Sequence, residues 1–179
     1  MTRIVVGVSG SLASLAALRH ATALARRDGA PLLAVLAWEP PEGEALHARS
    51  PDRAWAEMWA GEARQRLARA FDHGLGGLPE PEDIAVDCRV VRDAPAAALL
   101  RAAARPGDLL VLGMTPRRGR FGRLWRRPVL RGVMARARGP VLVVPGPELR
   151  RGEARVLRRH ASTDVPEAGA YAPRTQISG

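Results

Sequence analysis

The chain has 179 residues, of which 46% are hydrophobic, and it carries a formal net charge of +10 at pH 7. This length suits one domain of about 150 residues followed by a tail. No apolar run approaches the roughly 18 residues of a membrane-spanning helix. No secretory signal is recognisable and Cys88 is the single cysteine. We therefore expect a cytoplasmic protein without internal disulfides and without membrane association.

The positive charge is concentrated in the second part of the chain. Residues 1–108 contain 13 Arg and 14 acidic residues, whereas residues 109–179 contain 15 Arg and 4 acidic residues. Every one of these cations is Arg, because the chain contains no Lys. The absence of Lys excludes a Walker A phosphate loop and a Schiff-base lysine.

Short apolar runs alternate with helical patterns along the chain. In order, the pattern predicts strand 3–8, helix 12–28, strand 32–38, helix 53–72, strand 84–91, helix 96–104, strand 108–113, helix 129–137 and strand 140–145. Ser11 is a suitable N-cap for the first helix, and Asp28 with Gly29 is a typical helix end. Pro95 suits the first turn of the third helix.

This alternation predicts an α/β protein with a parallel sheet that is covered by helices on both faces. We find no second core after Pro145. The chain is therefore predicted to consist of one α/β domain over residues 1–146 and a basic, mostly disordered tail over residues 147–179.

The sequence lacks a strong enzyme signature. The stretch GVSGS (7–11) lacks the final glycine of a nucleophile elbow, and no dinucleotide fingerprint G-x-G-x-x-G follows the first strand. The histidines do not have metal-ligand spacing, so no metal site is predicted. Cys88, inside the third strand, is predicted to be a small buried apolar residue.

The two segments that differ from ordinary connections follow strands 1 and 4. They are VSGS (8–11) and GMTPRRGRFGRLWRR (113–127). Ligands of open parallel sheets bind at the carboxyl ends of the strands where the strand order reverses. Both segments lead into helix N-termini, whose free N–H groups attract anions.

Four stretches carry a resemblance to the universal stress protein family over residues 1–145. They are RIVVGVSGSLAS, PLLAVLAW, VVRDAPAAALLRAAA and DLLVLG-loop-VLRGVMARARGPVLVVP. The resemblance implies a flavodoxin-like (Rossmann-like) three-layer fold with a five-stranded parallel sheet of order 3-2-1-4-5. It also implies a homodimer formed through strand 140–145 and a non-enzymatic role in the stress response, with at most a very slow ATPase activity.

One branch of this family binds ATP through a glycine motif after strand 4, and another branch lacks the motif. Gly113 matches the first motif glycine, but Pro116 occupies the second position. Arg126 and Arg127 occupy the place of the final Gly-Ser or Gly-Thr, and Ser9 replaces the aspartate that meets the ribose or base. The long side chain of Arg126 and the missing N–H of Pro116 both oppose the usual close approach of phosphate.

The candidate ligand contacts fall into two sets. Candidates for binding nucleotide are Val8, Ser9, Val35 (beside the adenine), Leu112, Gly113, Pro116, Gly119, Gly122, Arg126, Arg127, Pro128 and Val129. Candidates for binding an anion are Arg117, Arg118, Arg120 and Arg123.

Three hypotheses remain open. In the first, the protein is a non-enzymatic stress-response module that binds ATP weakly or not at all. In the second, arginines of the loop replace the lost backbone cradle and bind the phosphates of ATP or another anion. In the third, the Arg-rich loop and tail bind nucleic acid or an acidic protein, with Phe121 and Trp125 available for stacking on bases.

Overall fold

The computed structural model describes residues 3–40, 53–115 and 128–147. Within them, four helices alternate with five strands. The predicted boundary between a domain over residues 1–146 and a tail over residues 147–179 stays a prediction, because residues 148–179 lie outside the described ones.

The strands form one parallel sheet in the order β3-β2-β1-β4-β5, which confirms the predicted topology. The strands are β1 (Ile4–Gly7), β2 (Leu32–Trp38), β3 (Val86–Arg92), β4 (Leu109–Met114) and β5 (Val141–Pro145). Strand β1 lies at the centre, where Ile4 is aligned with Leu32 of β2 and with Leu109 of β4.

The helices are α1 (Leu12–Asp28), α2 (Arg53–Leu75), α3 (Pro95–Ala102) and α4 (Pro128–Met134). Helices α1 and α2 pack together on one face of the sheet, and α3 and α4 pack together on the other. Successive side chains of β1 point to opposite faces of the sheet. Ile4 and Val6 lie in the core under α1 and α2, and Val5 lies in the core under α3 and α4. Side chains of a strand alternate between faces, and both faces are therefore apolar.

Helix α1 begins and ends where its local signals predict. The Ser11 side chain accepts a hydrogen bond from the backbone N–H of Ser14, and Gly29 closes the helix in the left-handed region at φ 58°. The buried residues Ala17 and Ala21 are fully inaccessible to solvent and bring the helix close to the sheet.

The ends of the other elements differ from the predicted ones by a few residues. Strand β3 starts two residues later than predicted, although Ile84 is buried just before it. Helix α2 continues to Leu75, and α4 ends at Met134 rather than at residue 137.

The prediction that Cys88 is buried is wrong, because the structure leaves it exposed. Strand β3 is an edge strand that pairs only with β2, and no residue of β3 reaches full burial. A strand at the edge is covered less completely than a central one, and the apolar run by itself does not distinguish the two positions.

An ion pair joins the amino ends of β1 and β4. The Arg3 guanidinium donates two hydrogen bonds to the Asp108 carboxylate, at 3.1 and 2.6 Å, and a third of 2.6 Å to the carbonyl oxygen of Ala102. The Asp108 side chain is only 2% exposed. The backbone N–H of Arg105 also donates to this carboxylate, at 3.1 Å. A buried charge held by several hydrogen bonds locks the relative position of the two strands.

Candidate functional site

The reversal of strand order lies between β1 and β4, because the chain moves from β1 to β2 on one side and later returns to β4 on the other. The connections that leave the carboxyl ends of β1 and β4 therefore diverge to opposite faces of the sheet. This divergence opens a crevice, which is where doubly wound α/β proteins bind their ligands.

A cavity of about 270 Å³ occupies this crevice. Its lining comes from β1, β2, β4, α3, α4 and the start of α1. The lining residues are Gly7, Val8, Ser9, Ser11, Ser14, Val35, Ala37, Pro95, Leu99, Leu112, Gly113, Val129 and Leu130. The volume is slightly below the roughly 300–1,000 Å³ of common small-molecule sites.

The structure brings most of the described candidate residues together. Six of them line the cavity: Val8, Ser9, Val35, Leu112, Gly113 and Val129. Pro128 instead begins α4 and lines a separate groove next to β5. The remaining candidates lie outside the described residues: Pro116, Arg117, Arg118, Gly119, Arg120, Gly122, Arg123, Arg126 and Arg127.

The polar side of the cavity is a network of three serines around the start of α1. The Ser14 hydroxyl accepts a 3.2 Å bond from the backbone N–H of Ser9 and donates a 2.9 Å bond to the carbonyl oxygen of Ser11. The hydroxyls of Ser9 and Ser11 lie 3.0 Å apart. These bonds hold the loop after β1 in place and occupy the N–H groups of Ser9 and Ser14.

The packing of the fold explains why residue 113 is a glycine, without reference to any ligand. A β-carbon at this position would lie 2.1 Å from the carbonyl oxygen of Ala13 and 2.7 Å from the backbone nitrogen of Ser14. A β-carbon at Gly146 would likewise lie 2.7 Å from the α-carbon of Ala13. Both glycines therefore let the first turn of α1 pack directly against the ends of β4 and β5.

The cavity lining carries no charged side chain among the residues that the structure describes. Nearby charges are engaged elsewhere: the carboxylate of Asp93 accepts a hydrogen bond from the N–H of Ala94 and pairs with Arg101. The guanidinium of Arg92 lies 6.0 Å from the ring centre of Trp38. The described lining thus combines serine hydroxyls with apolar side chains.

Several cavity residues are absent from the predicted site. Ser11 and Ser14 could have been found, because Ser11 was already expected at the helix start and Ser14 is one turn further along. Pro95 and Leu99 belong to α3, which reaches the crevice only through its packing under β1 and β2. No local signal in the sequence marks that approach.

No group of three or more His, Cys, Asp or Glu residues that could hold a metal ion exists within residues 3–40, 53–115 and 128–147. The same part of the chain contains no helix long and apolar enough to cross a membrane. Among the described residues, the lining of the crevice offers hydroxyls, backbone groups and apolar side chains.

A second depression, an apolar groove of about 930 Å³, lies beside the edge strand β5. Its walls come from β4, α4 and β5, and they include Met114, Leu130, Met134 and Val143. The Met134 residue is 59% exposed. The side chains of Val141 to Val144 are only partly buried, because β5 pairs with β4 on one side only.

The strand order and the crevice define a doubly wound α/β protein with a ligand-sized cavity at its switch point. The chain belongs to the universal stress protein family, whose model matches residues 1–145. No curated protein sequence matches the chain significantly.

Solved structures give the same result for the fold. A universal stress protein in complex with cAMP is 26% identical, with a TM-score of 0.50, over 82% of this chain and 98% of that one. A family member from Burkholderia pseudomallei is 24% identical, with a TM-score of 0.57, over 81% of this chain and 96% of that one. A protein from Archaeoglobus fulgidus in complex with dAMP is 17% identical, with a TM-score of 0.52, over 80% of this chain and 98% of that one.

Proposed function

We propose that this protein is a non-enzymatic regulatory module of the stress response whose crevice binds ATP weakly or not at all. The observation that carries the proposal is the role of Gly113. It is the one motif glycine that the sequence retains, and the structure accounts for it by the close approach of Ala13. Its retention is therefore no sign that a phosphate cradle has been kept.

The described cavity also lacks what a triphosphate needs. A chain of three phosphates is stabilised by several backbone N–H groups or by cationic side chains. Here the N–H groups of Ser9 and Ser14 already donate to serine hydroxyls, and the described lining is uncharged. The described part of the cavity accommodates a group of about the size of a nucleobase against Val35 and Leu112 and offers the phosphates no cationic side chain.

Calorimetric titration with ATP and with adenosine at physiological salt tests this proposal. We expect ATP to bind no more tightly than adenosine, since the phosphates gain no compensating partner. A dissociation constant for ATP in the low micromolar range, well below that for adenosine, would contradict it. Mass spectrometry of the natively purified protein would also show whether a nucleotide copurifies with it.

A second candidate is nucleotide binding in the same crevice, with phosphates bound by the arginines after β4. One observation favours it: the family member that is 26% identical was solved with cAMP. The double variant Arg126→Ala and Arg127→Ala should then lose nucleotide affinity at least about tenfold. The matched control, Arg64→Ala with Arg69→Ala, removes two exposed arginines of α2 and should not affect it. Unchanged affinity in the first variant would refute this candidate.

We also propose that two copies associate through strand 140–145. In its support, β5 is an edge strand with partly exposed apolar side chains, next to the apolar groove. Edge strands of this type are templates for pairing with another chain. Native mass spectrometry should show a dimer, and Val143→Glu should shift it towards the monomer. A wild-type monomer at all concentrations would refute the proposal.

A further inference from the structure

A third depression lies where the chain leaves helices α3 and α4, and half of its six lining residues are arginines. This α3–α4 cleft has a volume of about 280 Å³. Its lining consists of Leu100, Arg101, Ala103, Ala104, Arg136 and Arg138. Three arginines and three apolar residues therefore form the lining, and no acidic residue takes part in it.

The cleft lies at the opposite edge of the sheet from the crevice between β1 and β4. The lining residues Ala103 and Ala104 come shortly before β4 begins at Leu109, and Arg138 comes shortly before β5 begins at Val141. All five strands are parallel, so these positions lie at the amino edge. The crevice of about 270 Å³ lies at the carboxyl edge, and the two sites do not share a lining residue.

The charge of this cleft is largely uncompensated. Arg101 pairs with Asp93, and its side chain remains 67% exposed. Arg136 donates only to the carbonyl oxygen of Gly132, at 3.1 Å, and no carboxylate in the described part of the chain pairs with Arg136 or Arg138. The Asp108 carboxylate, which is also at the amino edge, is already neutralised by Arg3.

We propose that the α3–α4 cleft binds single-stranded nucleic acid through one or two backbone phosphates. Guanidinium groups form paired hydrogen bonds with phosphate and also stack on bases. The apolar floor of Leu100, Ala103 and Ala104 provides a surface for the sugar or base that adjoins the phosphate. A concave site of this size fits one nucleotide unit, whereas a membrane surface is flat and an acidic peptide does not require the apolar floor.

Fluorescence anisotropy with a labelled oligothymidylate and the full-length protein tests the proposal. The variant Arg136→Gln with Arg138→Gln should bind at least about tenfold more weakly at about 100 mM salt. For this variant, the slope of the logarithm of the binding constant against the logarithm of the salt concentration should be less steep by about 1.4. Each lost phosphate contact on a single strand reduces the slope by about 0.7, and the variant lacks two arginines. The control, Arg64→Gln with Arg69→Gln, removes the same charge from exposed positions on α2 and should keep the wild-type slope.

Equal losses in the two variants would show that only net charge matters, and no loss in either would locate binding elsewhere, for example in the arginine-rich residues 116–127. Either result would overturn the proposal. Displacement of the oligonucleotide by polyglutamate as effectively as by unlabelled oligonucleotide would overturn it in favour of an acidic protein. Both variants alter exposed side chains, and unchanged circular dichroism will confirm that they fold.

Discussion

The close approach of α1 to β4 makes a prediction that separates packing from ligand binding. In Gly113→Ala the new methyl group would meet backbone atoms of Ala13, which cannot turn away as a side chain does. From 2.1 Å, the helix and strand must separate by about 1.3 Å to reach the 3.4 Å of ordinary contact. Overpacking of cores costs typically 1–3 kcal/mol, and we expect about 3 kcal/mol here because backbone must move.

Gly61→Ala is the matched control. Gly61 lies inside α2, and a β-carbon there would have no neighbour within 4 Å. Alanine is favoured over glycine in a helix interior, so this substitution should raise the free energy of unfolding by about 0.5–1 kcal/mol. The two substitutions are chemically identical, and only the tertiary surroundings give them opposite signs.

Urea unfolding followed by circular dichroism measures both variants, without nucleotide and with ATP. The loss in Gly113→Ala should be the same in the two conditions, because the contact with Ala13 exists without ligand. A Gly113→Ala protein as stable as the wild type would refute the packing argument. A loss that appeared only in the presence of ATP would assign Gly113 to phosphate binding instead.

Three further predictions concern other parts of the fold. Asp108→Ala leaves the Arg3 guanidinium partly buried without its carboxylate and should cost about 3–5 kcal/mol in urea unfolding. Arg19→Ala removes two hydrogen bonds, of 2.7 and 3.0 Å, to carbonyl oxygens in the last turn of α2 and should cost about 1–2 kcal/mol. Although the Cys88 side chain is exposed, its neighbours partly desolvate the sulfur; this desolvation, and secondly the charge of Asp87, raise the pKa of the thiol, so alkylation by iodoacetamide at pH 7 should be slower than that of an unfolded cysteine peptide. Asp87→Asn should lower this pKa and accelerate the reaction.

Each of these predictions has a clear contrary result. Asp83→Ala removes an exposed partner of Arg26 and should hardly change the unfolding midpoint, so an equal loss in Asp83→Ala and Asp108→Ala would refute the distinction between surface and buried pairs. An Arg19→Ala protein with unchanged stability would show that water replaces both bonds. A Cys88 thiol that titrates at or below the pKa of the peptide would contradict the effect of desolvation.

Local signals predicted the elements best where both ends are marked. Helix α1 has the side-chain cap of Ser11 at its start and the left-handed Gly29 at its end, and its predicted bounds are correct. Strand β3 has no such marks, so its start was placed two residues early. The buried Ile84 continues the apolar run without hydrogen bonding in the sheet, and an apolar pattern reports burial rather than pairing.

The site was predictable only where it follows the ends of strands. Val8, Ser9, Leu112 and Gly113 come directly after or at the ends of β1 and β4, and parallel strands bring such positions together. Leu99 reaches the same cavity from α3, at a distance along the chain that no motif spans. The exposure of Cys88 likewise depends on which strand occupies the edge of the sheet.

The sequence by itself determined the alternation of strands and helices, the helix caps and the concentration of arginine after residue 108, because these depend on neighbours along the chain. Only the tertiary structure showed why residue 113 must be a glycine. It alone also brought Arg101, Arg136 and Arg138 together around one cleft. Both arise from contacts between segments that are far apart in sequence. Such contacts are set by how helices pack on the sheet, and a linear pattern does not record those distances.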